Sequence, residues 1–153
     1  MGILAIRCSN TDFAYAIVDG TKDSPVLVHC DVTGYPKGYE EHSLFHWFHQ
    51  EITDLLDTHS PDTLAVKAAE TMVKRSGSLE TRIRIEGIAL MSAAEVGCAS
   101  AHRKVKSTIA KDLGMKGKGK YLETKLDTSP IPDFDSYNTK QQEAILVGWS
   151  CLE

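Results

Sequence analysis

The chain opens on an almost unbroken apolar run over residues 2–8, the pattern of a strand buried on both faces. Turn formers at Ser9-Asn10-Thr11-Asp12 interrupt it, and residues 13–18 read as a second strand closing a hairpin. After a further polar turn through Gly20 and Pro25, residues 26–32 read as a third strand. Three consecutive strands joined by such short loops form an antiparallel meander. Beyond a loop at 33–38 the period changes: Leu44, Phe45, Phe48, Ile52, Leu55 and Leu56 recur at helical spacing until Ser60-Pro61 ends the helix.

Residues 63–68 are short, β-favouring at Leu64 and Val66, and lie between two helical patterns, so they predict a strand parallel to the first. A second long helix follows Ser76-Gly77-Ser78, with Ile83, Ile85, Ile88, Ala89, Met91 and Ala94 as its apolar side. Residues 98–101 are small and predict a fifth strand, 103–113 a helix stopped at Gly114, and 139–152 a closing helix with Ala144, Ile145, Val147, Gly148 and Trp149 packed. The stretch 115–136, rich in Gly, Lys, Pro and Asp, has no regular period apart from a helical turn near 120–124. The order predicts an α/β fold: a five-stranded mixed sheet, three strands antiparallel and then two parallel, with right-handed crossovers and helices on both faces.

Composition changes this picture little. A chain of 153 residues with 42% hydrophobic and 25% charged positions is expected to be one domain, 1–153, with its own core. No apolar run approaches the roughly 18 residues of a membrane span, and the start reads as a strand without a basic leader, so a cytoplasmic protein with no membrane partner is expected. Cys8, Cys30, Cys98 and Cys151 form no CxxC pair, which argues against a zinc ribbon and for free thiols. With a net charge of −4, any contact with a polyanion must come from a local basic patch.

Four stretches carry a likeness: Ile3-Leu4-Ala5-Ile6, Ser60-Pro61-Asp62-Thr63-Leu64-Ala65-Val66, Arg103-Lys104-Val105-Lys106-Ser107-Thr108-Ile109 and Gln142-Glu143-Ala144-Ile145-Leu146. In this order and spacing they resemble the RNase H-like superfamily, and within it the RuvC-type Holliday-junction resolvases. The resemblance implies a centre in which four carboxylates, from the first strand, the fourth strand and twice from the last helix, hold two divalent ions that activate water at a phosphodiester. Fitted onto this chain, those positions are Arg7, Lys67, Lys140 and Glu143. Three cations stand where ligands should be. Two like unit charges about 4 Å apart cost roughly 4 kcal/mol at an effective dielectric near 20, so a two-metal centre is not viable in that register and no metal or other cofactor is expected. Arg7, Lys67 and Glu143 are expected to form a partly buried ion-pair cluster with Lys140 nearer to solvent, or Arg7 and Lys67 to reach water separately at the strand ends, or else the cations bind an anion such as phosphate.

Other chemistry is thinner. Arg103, Lys104, Lys106, Lys116, Lys118 and Lys120 make a basic segment in which glycines alternate with lysines, suited to a nucleic-acid backbone and lacking the spacing of a P-loop. His42, His46 and His49 share one helix face but lack a fourth zinc ligand, and Cys98 near His102 lacks an orienting acid. Three readings follow: a non-catalytic RuvC-like module that binds nucleic acid through the lysine-rich segment; a magnesium-dependent nuclease with relocated carboxylates, Glu70, Glu143 and Asp12 or Asp19; and a structural module that forms a homodimer or docks a partner.

Overall fold

A computed structural model describes residues 2–71 and 73–153. Its sheet has the order β3-β2-β1-β4-β5, built from β1 (Ile3–Cys8), β2 (Asp12–Gly20), β3 (Pro25–Gly34), β4 (Thr63–Lys67) and β5 (Ser100–Lys104). The first three strands pair antiparallel, and β4 and β5 extend the sheet in parallel. Helices α1 (Glu41–His59) and α2 (Gly77–Val96) cover one face; α3 (Lys106–Asp112), the single turn α4 (Tyr121–Thr124) and α5 (Thr139–Ser150) lie over the other. The mixed sheet with helices on both faces is the RNase H-like α/β fold expected from the order of elements.

Strand alternation decides which core each residue enters. In β1, Leu4, Ile6 and Cys8 pack with α1 and α2, whereas Ile3 and Ala5 pack beneath α5. In β4, Leu64 and Val66 take the first side and Ala65 the second. Small residues under α5 let it approach closely: a Cβ on Gly148 would lie 2.9 Å from both Ala5 Cβ and Val18 Cγ2. Helix α5 begins at a capping box, Asn138 accepting from Gln141 N–H while the Gln141 side chain accepts from Asn138 N–H. This fixes the register that presents Lys140 and Glu143.

Three local expectations are corrected. Strand β5 runs from Ser100 to Lys104, so Arg103 and Lys104 belong to an edge strand and α3 starts only at Lys106. An edge strand with three of five residues exposed carries little hydrophobic signal. The buried stripe of α2 is Ile85, Glu86, Ala89, Ser92 and Ala93, while Ile83 and Met91 are exposed. A buried carboxylate and a buried serine disguise that stripe as a polar face. In the lysine loop Gly119 serves close packing, since a Cβ there would lie 2.8 Å from Lys106 Cβ, whereas Gly117 takes a φ of 75°.

Candidate functional site

Arg7 and Lys67 continue the α5-facing rows of β1 and β4, two residues beyond Ala5 and Ala65. The strands are parallel, with Ile6 opposite Val66, so the two cations stand side by side where the strands end. From above, α5 brings Glu143, whose Oε2 accepts from Arg7 Nε at 2.6 Å, with both side chains about 15% exposed. Arg7 Nη1 also donates to Cys8 O at 2.6 Å.

Lys67 does not take Glu143 as its direct partner, contrary to the expected three-residue cluster. Its ammonium, with 3% of the side chain exposed, donates to Glu70 Oε2 at 2.8 Å and to Ala68 O at 2.6 Å. Glu70 Oε2 also accepts from the backbone N–H of Lys106 at 3.3 Å. Lys140 is more exposed, as expected, and donates to Asp12 Oδ1 at 2.7 Å and to Ser9 Oγ at 3.2 Å. Each of the three cations therefore holds one carboxylate: Arg7 with Glu143, Lys67 with Glu70, Lys140 with Asp12.

The electrostatics follow from this pairing. Burial lowers the pKa of Lys67, more than Glu70 and Glu143 raise it. Burial by itself would raise Glu70, but the hydrogen bond and charge of Lys67 and the nearby Lys106 outweigh it and hold the carboxyl below its usual value. Asp12 behaves alike: burial raises it, and Lys140, Ser9 and Arg7 together pull it lower. Of the carboxylates that could be offered to a metal, Glu70, Glu143 and Asp12 are committed to cations.

A second ionic cluster lies across the sheet. Glu86, fully buried on α2, accepts from Arg82 Nε at 3.0 Å, Arg103 Nε at 2.7 Å and Ala69 N–H at 3.1 Å. Arg82 in turn reaches Lys67 O at 3.2 Å, tying the two clusters through β4. Sequence reasoning passed over this pair. Its one visible signal is the i,i+4 spacing of Arg82 and Glu86 beside the apolar Ile85 and Ala89.

The six basic residues do not form one surface. Arg103 turns to Glu86, and Lys104, 14% exposed, donates to Asp112 Oδ2 at 2.8 Å and Ser150 O at 3.2 Å on the opposite side of the sheet. Lys106 lies beside the ion-pair centre, 3.2 Å from Glu123 Oε1. Lys116, Lys118 and Lys120 are exposed, and the ammonium groups of Lys118, Lys120 and Lys125 surround the Tyr121 ring at 5.7, 5.8 and 4.2 Å. Between this loop and α5 lies a cavity of about 260 Å³, reached by Lys67, Lys106, Leu122, Phe134, Gln142 and Glu143.

The remaining candidates separate. His42 and His46 are exposed on α1, while His49 bonds Ser92 Oγ at 2.7 Å and faces Glu95 at 3.2 Å. Cys98 Sγ approaches Pro61 O at 3.7 Å. All four cysteines are free thiols. Among the described residues, no three His, Cys, Asp or Glu side chains are grouped to hold a metal ion, and no helix is long and apolar enough to cross a membrane.

No protein-family model and no curated protein matches the chain. Solved structures do. RuvC of Thermus thermophilus is similar with a TM-score of 0.72 at 16% identity, over 98% of this chain and 92% of that one; the same protein in complex with a Holliday-junction substrate gives 0.71 at 16%, over 98% and 91%. The yeast mitochondrial Holliday-junction resolvase Ydc2 has a TM-score of 0.58 at 11% identity, over 97% of this chain and 77% of that one. The fold is therefore the RuvC-type RNase H-like fold. The two divalent ions that the resemblance implies do not fit the residues it assigns to them, because Arg7, Lys67 and Lys140 are cations and Glu143 is hydrogen-bonded to Arg7.

Proposed function

We propose that this chain is a RuvC-like module that binds nucleic acid without cutting it. The observation that carries this reading is the pairing of charges: Arg7, Lys67 and Lys140, which the resemblance fits to the ligand positions, are each neutralised by a carboxylate, Glu143, Glu70 and Asp12. A lysine or arginine has no lone pair to give a metal at neutral pH, and a carboxylate held in an ion pair loses that pair if it turns to one. The nuclease with relocated carboxylates would use Glu70, Glu143 and Asp12 or Asp19, and of these Glu70, Glu143 and Asp12 are so held. The same neutrality leaves no surplus positive charge for a phosphate ion at this centre.

Binding falls instead to the exposed lysine loop. Lys116, Lys118 and Lys120 project from a segment whose glycines pack against α3, and Tyr121 offers an aromatic ring among ammonium groups, the combination that holds a strand by phosphate contacts and base stacking. One similar structure is a resolvase bound to a Holliday junction, so branched DNA is the ligand class to test first.

The test incubates the full chain with a four-way junction in Mg²⁺ or Mn²⁺ and measures cleavage and binding separately. Binding without cleavage is the expected result. Replacing Lys116, Lys118 and Lys120 by Glu should weaken it and flatten its salt dependence by about one unit of slope for every phosphate that is no longer neutralised. Divalent-dependent cleavage that disappears in Glu143→Ala would overturn the non-cutting reading. Junction affinity unchanged by the lysine substitutions would overturn the assignment of the surface.

A second reading, self-association, has one supporting observation. Strand β3 is a free sheet edge of 10 residues that exposes Val26 and Val28. Sedimentation equilibrium of the parent and of Val28→Lys decides it: a dimer that dissociates in the variant supports pairing at this edge, and a monomeric parent rejects it.

A further inference from the structure

The cavity beside Glu143 offers more hydrogen-bond acceptors than the chain itself uses. Glu143 gives Oε2 to Arg7, while its Oε1 stays 4.0 Å from Lys106 Nζ, outside hydrogen-bond reach. Gln142 donates its amide N–H to Phe134 O at 3.2 Å, leaving its carbonyl oxygen as an acceptor. The exposed carboxylate of Asp135 also lines it. The lining includes the apolar side chains of Leu122, Leu126 and Phe134 as well. Such a site suits a ligand with an apolar body and N–H donors on its edge.

Size and surroundings narrow the class. At about 260 Å³ the cavity lies just below the roughly 300–1,000 Å³ of sites for drug-sized ligands, so it suits a single ring system better than a whole nucleotide. Its lining carries Lys67 and Lys106 against Glu123, Asp135 and Glu143, so acceptors outnumber cations, and it is continuous with the lysine loop. Lys106 lies on the border, Gly119 packs against Lys106, and Tyr121 with its three ammonium neighbours immediately precedes the lining residue Leu122. A strand held on Lys118 and Lys120 therefore passes the mouth of a cavity matched to amine-bearing rings.

Resting on the nucleic-acid reading above, we propose that this cavity takes one unpaired base bearing an exocyclic amine, adenine, cytosine or guanine, turned out of the bound strand while the lysine loop holds the flanking phosphates. Thymine has no such amine and offers a single edge donor, N3–H, flanked by two carbonyl oxygens that crowd the acceptors of Glu143 and Gln142, and is disfavoured. A base already unpaired at a bulge or branch enters most readily, because little stacking has to be broken.

The experiment measures anisotropy of labelled duplexes that differ only in one bulged nucleotide: adenine, cytosine, thymine or an abasic analogue. Adenine and cytosine bulges should bind about tenfold more tightly than the abasic one, the gain expected from burying one stacked base, with thymine near the abasic value. Leu126→Trp, which fills the cavity, and Gln142→Leu, which removes an acceptor, should each reduce the preference and leave abasic-bulge affinity and its salt slope unchanged; circular dichroism confirms that both are folded. Equal binding of all four bulges by the parent overturns the proposal while leaving the nucleic-acid reading in place. A preference that survives both substitutions also overturns it. Failure to bind any duplex or junction overturns both readings together.

Discussion

A double-mutant cycle on Arg7 and Glu143 asks whether the ion-pair centre is held together by its part-buried charges. The two side chains are 16% and 15% exposed and meet at 2.6 Å. At an effective dielectric near 20, unit charges about 4 Å apart attract by roughly 4 kcal/mol, and partial desolvation takes back some of that. Glu143→Ala leaves a guanidinium with Cys8 O as its remaining hydrogen-bond partner and should cost about 3 kcal/mol, near the lower end for breaking a buried pair. Arg7→Ala should cost a similar amount, because Glu143 then keeps no hydrogen-bonded cation and only the longer-range charges of Lys106, at 4.0 Å, and Lys67. The double variant removes both charges and should fall well short of the sum, with a coupling energy of about 2 kcal/mol. In thermal melts each kcal/mol corresponds to about 2–4 °C for a chain of this size. Chemical denaturation of the four proteins measures the cycle. Additive losses, with coupling under about 0.5 kcal/mol, would refute the buried pair and leave two side chains reaching separately for water.

Other outcomes follow from the same interactions. Glu86→Ala should cost about 3–5 kcal/mol by denaturant titration, because it strands Arg82 and Arg103 and leaves the buried Ala69 N–H without its acceptor. The carboxyls of Asp12 and Glu70 are held below their ordinary values, so their stabilisation is complete above the unfolded pKa of about 4 and is lost as pH falls through the folded values; melts of the parent should fall more steeply below pH 4 than those of Asp12→Asn. Gly148→Ala should destabilise by about 1–3 kcal/mol, since its methyl would press on Ala5 and Val18. The combined variant Arg7→Asp, Lys67→Glu and Lys140→Asp should melt lower without divalent ions and recover with Mg²⁺, while the parent's Tm stays indifferent to Mg²⁺; a parent stabilised by Mg²⁺ would count against the swap.

Much of the fold could be read from sequence because its signals are local. The two-sided apolar run of β1, the period of α1 and the short strand around Val66 are each dictated by burial of their own neighbourhood. Strand β5 and the stripe of α2 were obscured for the opposite reason. The first lies at an edge, and the second buries Glu86, whose cost is met by arginines from α2 and β5 and an N–H from the loop after β4. Spacing along one helix shows Arg82 but not Arg103, which comes from 17 residues away. The candidate site divides in the same way. Arg7, Lys67, Lys140 and Glu143 could be located from the strand ends and the last helix, but their pairing could not, because Lys67 finds Glu70 around the strand end and Lys140 finds Asp12 across 128 positions.

The pairing has a physical logic that does not depend on activity. A concave, largely desolvated centre cannot keep several like charges, because the cost of burying each grows as water is withdrawn. A centre of four carboxylates meets this condition with two divalent ions, which supply four positive charges. Here Arg7, Lys67 and Lys140 supply three, against Glu143, Glu70 and Asp12. Neutrality is reached in both cases, by exchangeable ions in one and by covalently attached cations in the other. The second solution needs new acids beside the new bases, and Asp12 and Glu70 lie one turn beyond β1 and β4 with Ser9 and the Lys106 N–H completing their hydrogen bonds. Substituting the cations alone would have left Glu143 among three positive charges. Finding each with its own carboxylate makes the centre a self-sufficient ionic lattice, which is why the ligand binding proposed above is assigned to the neighbouring lysine loop and cavity instead.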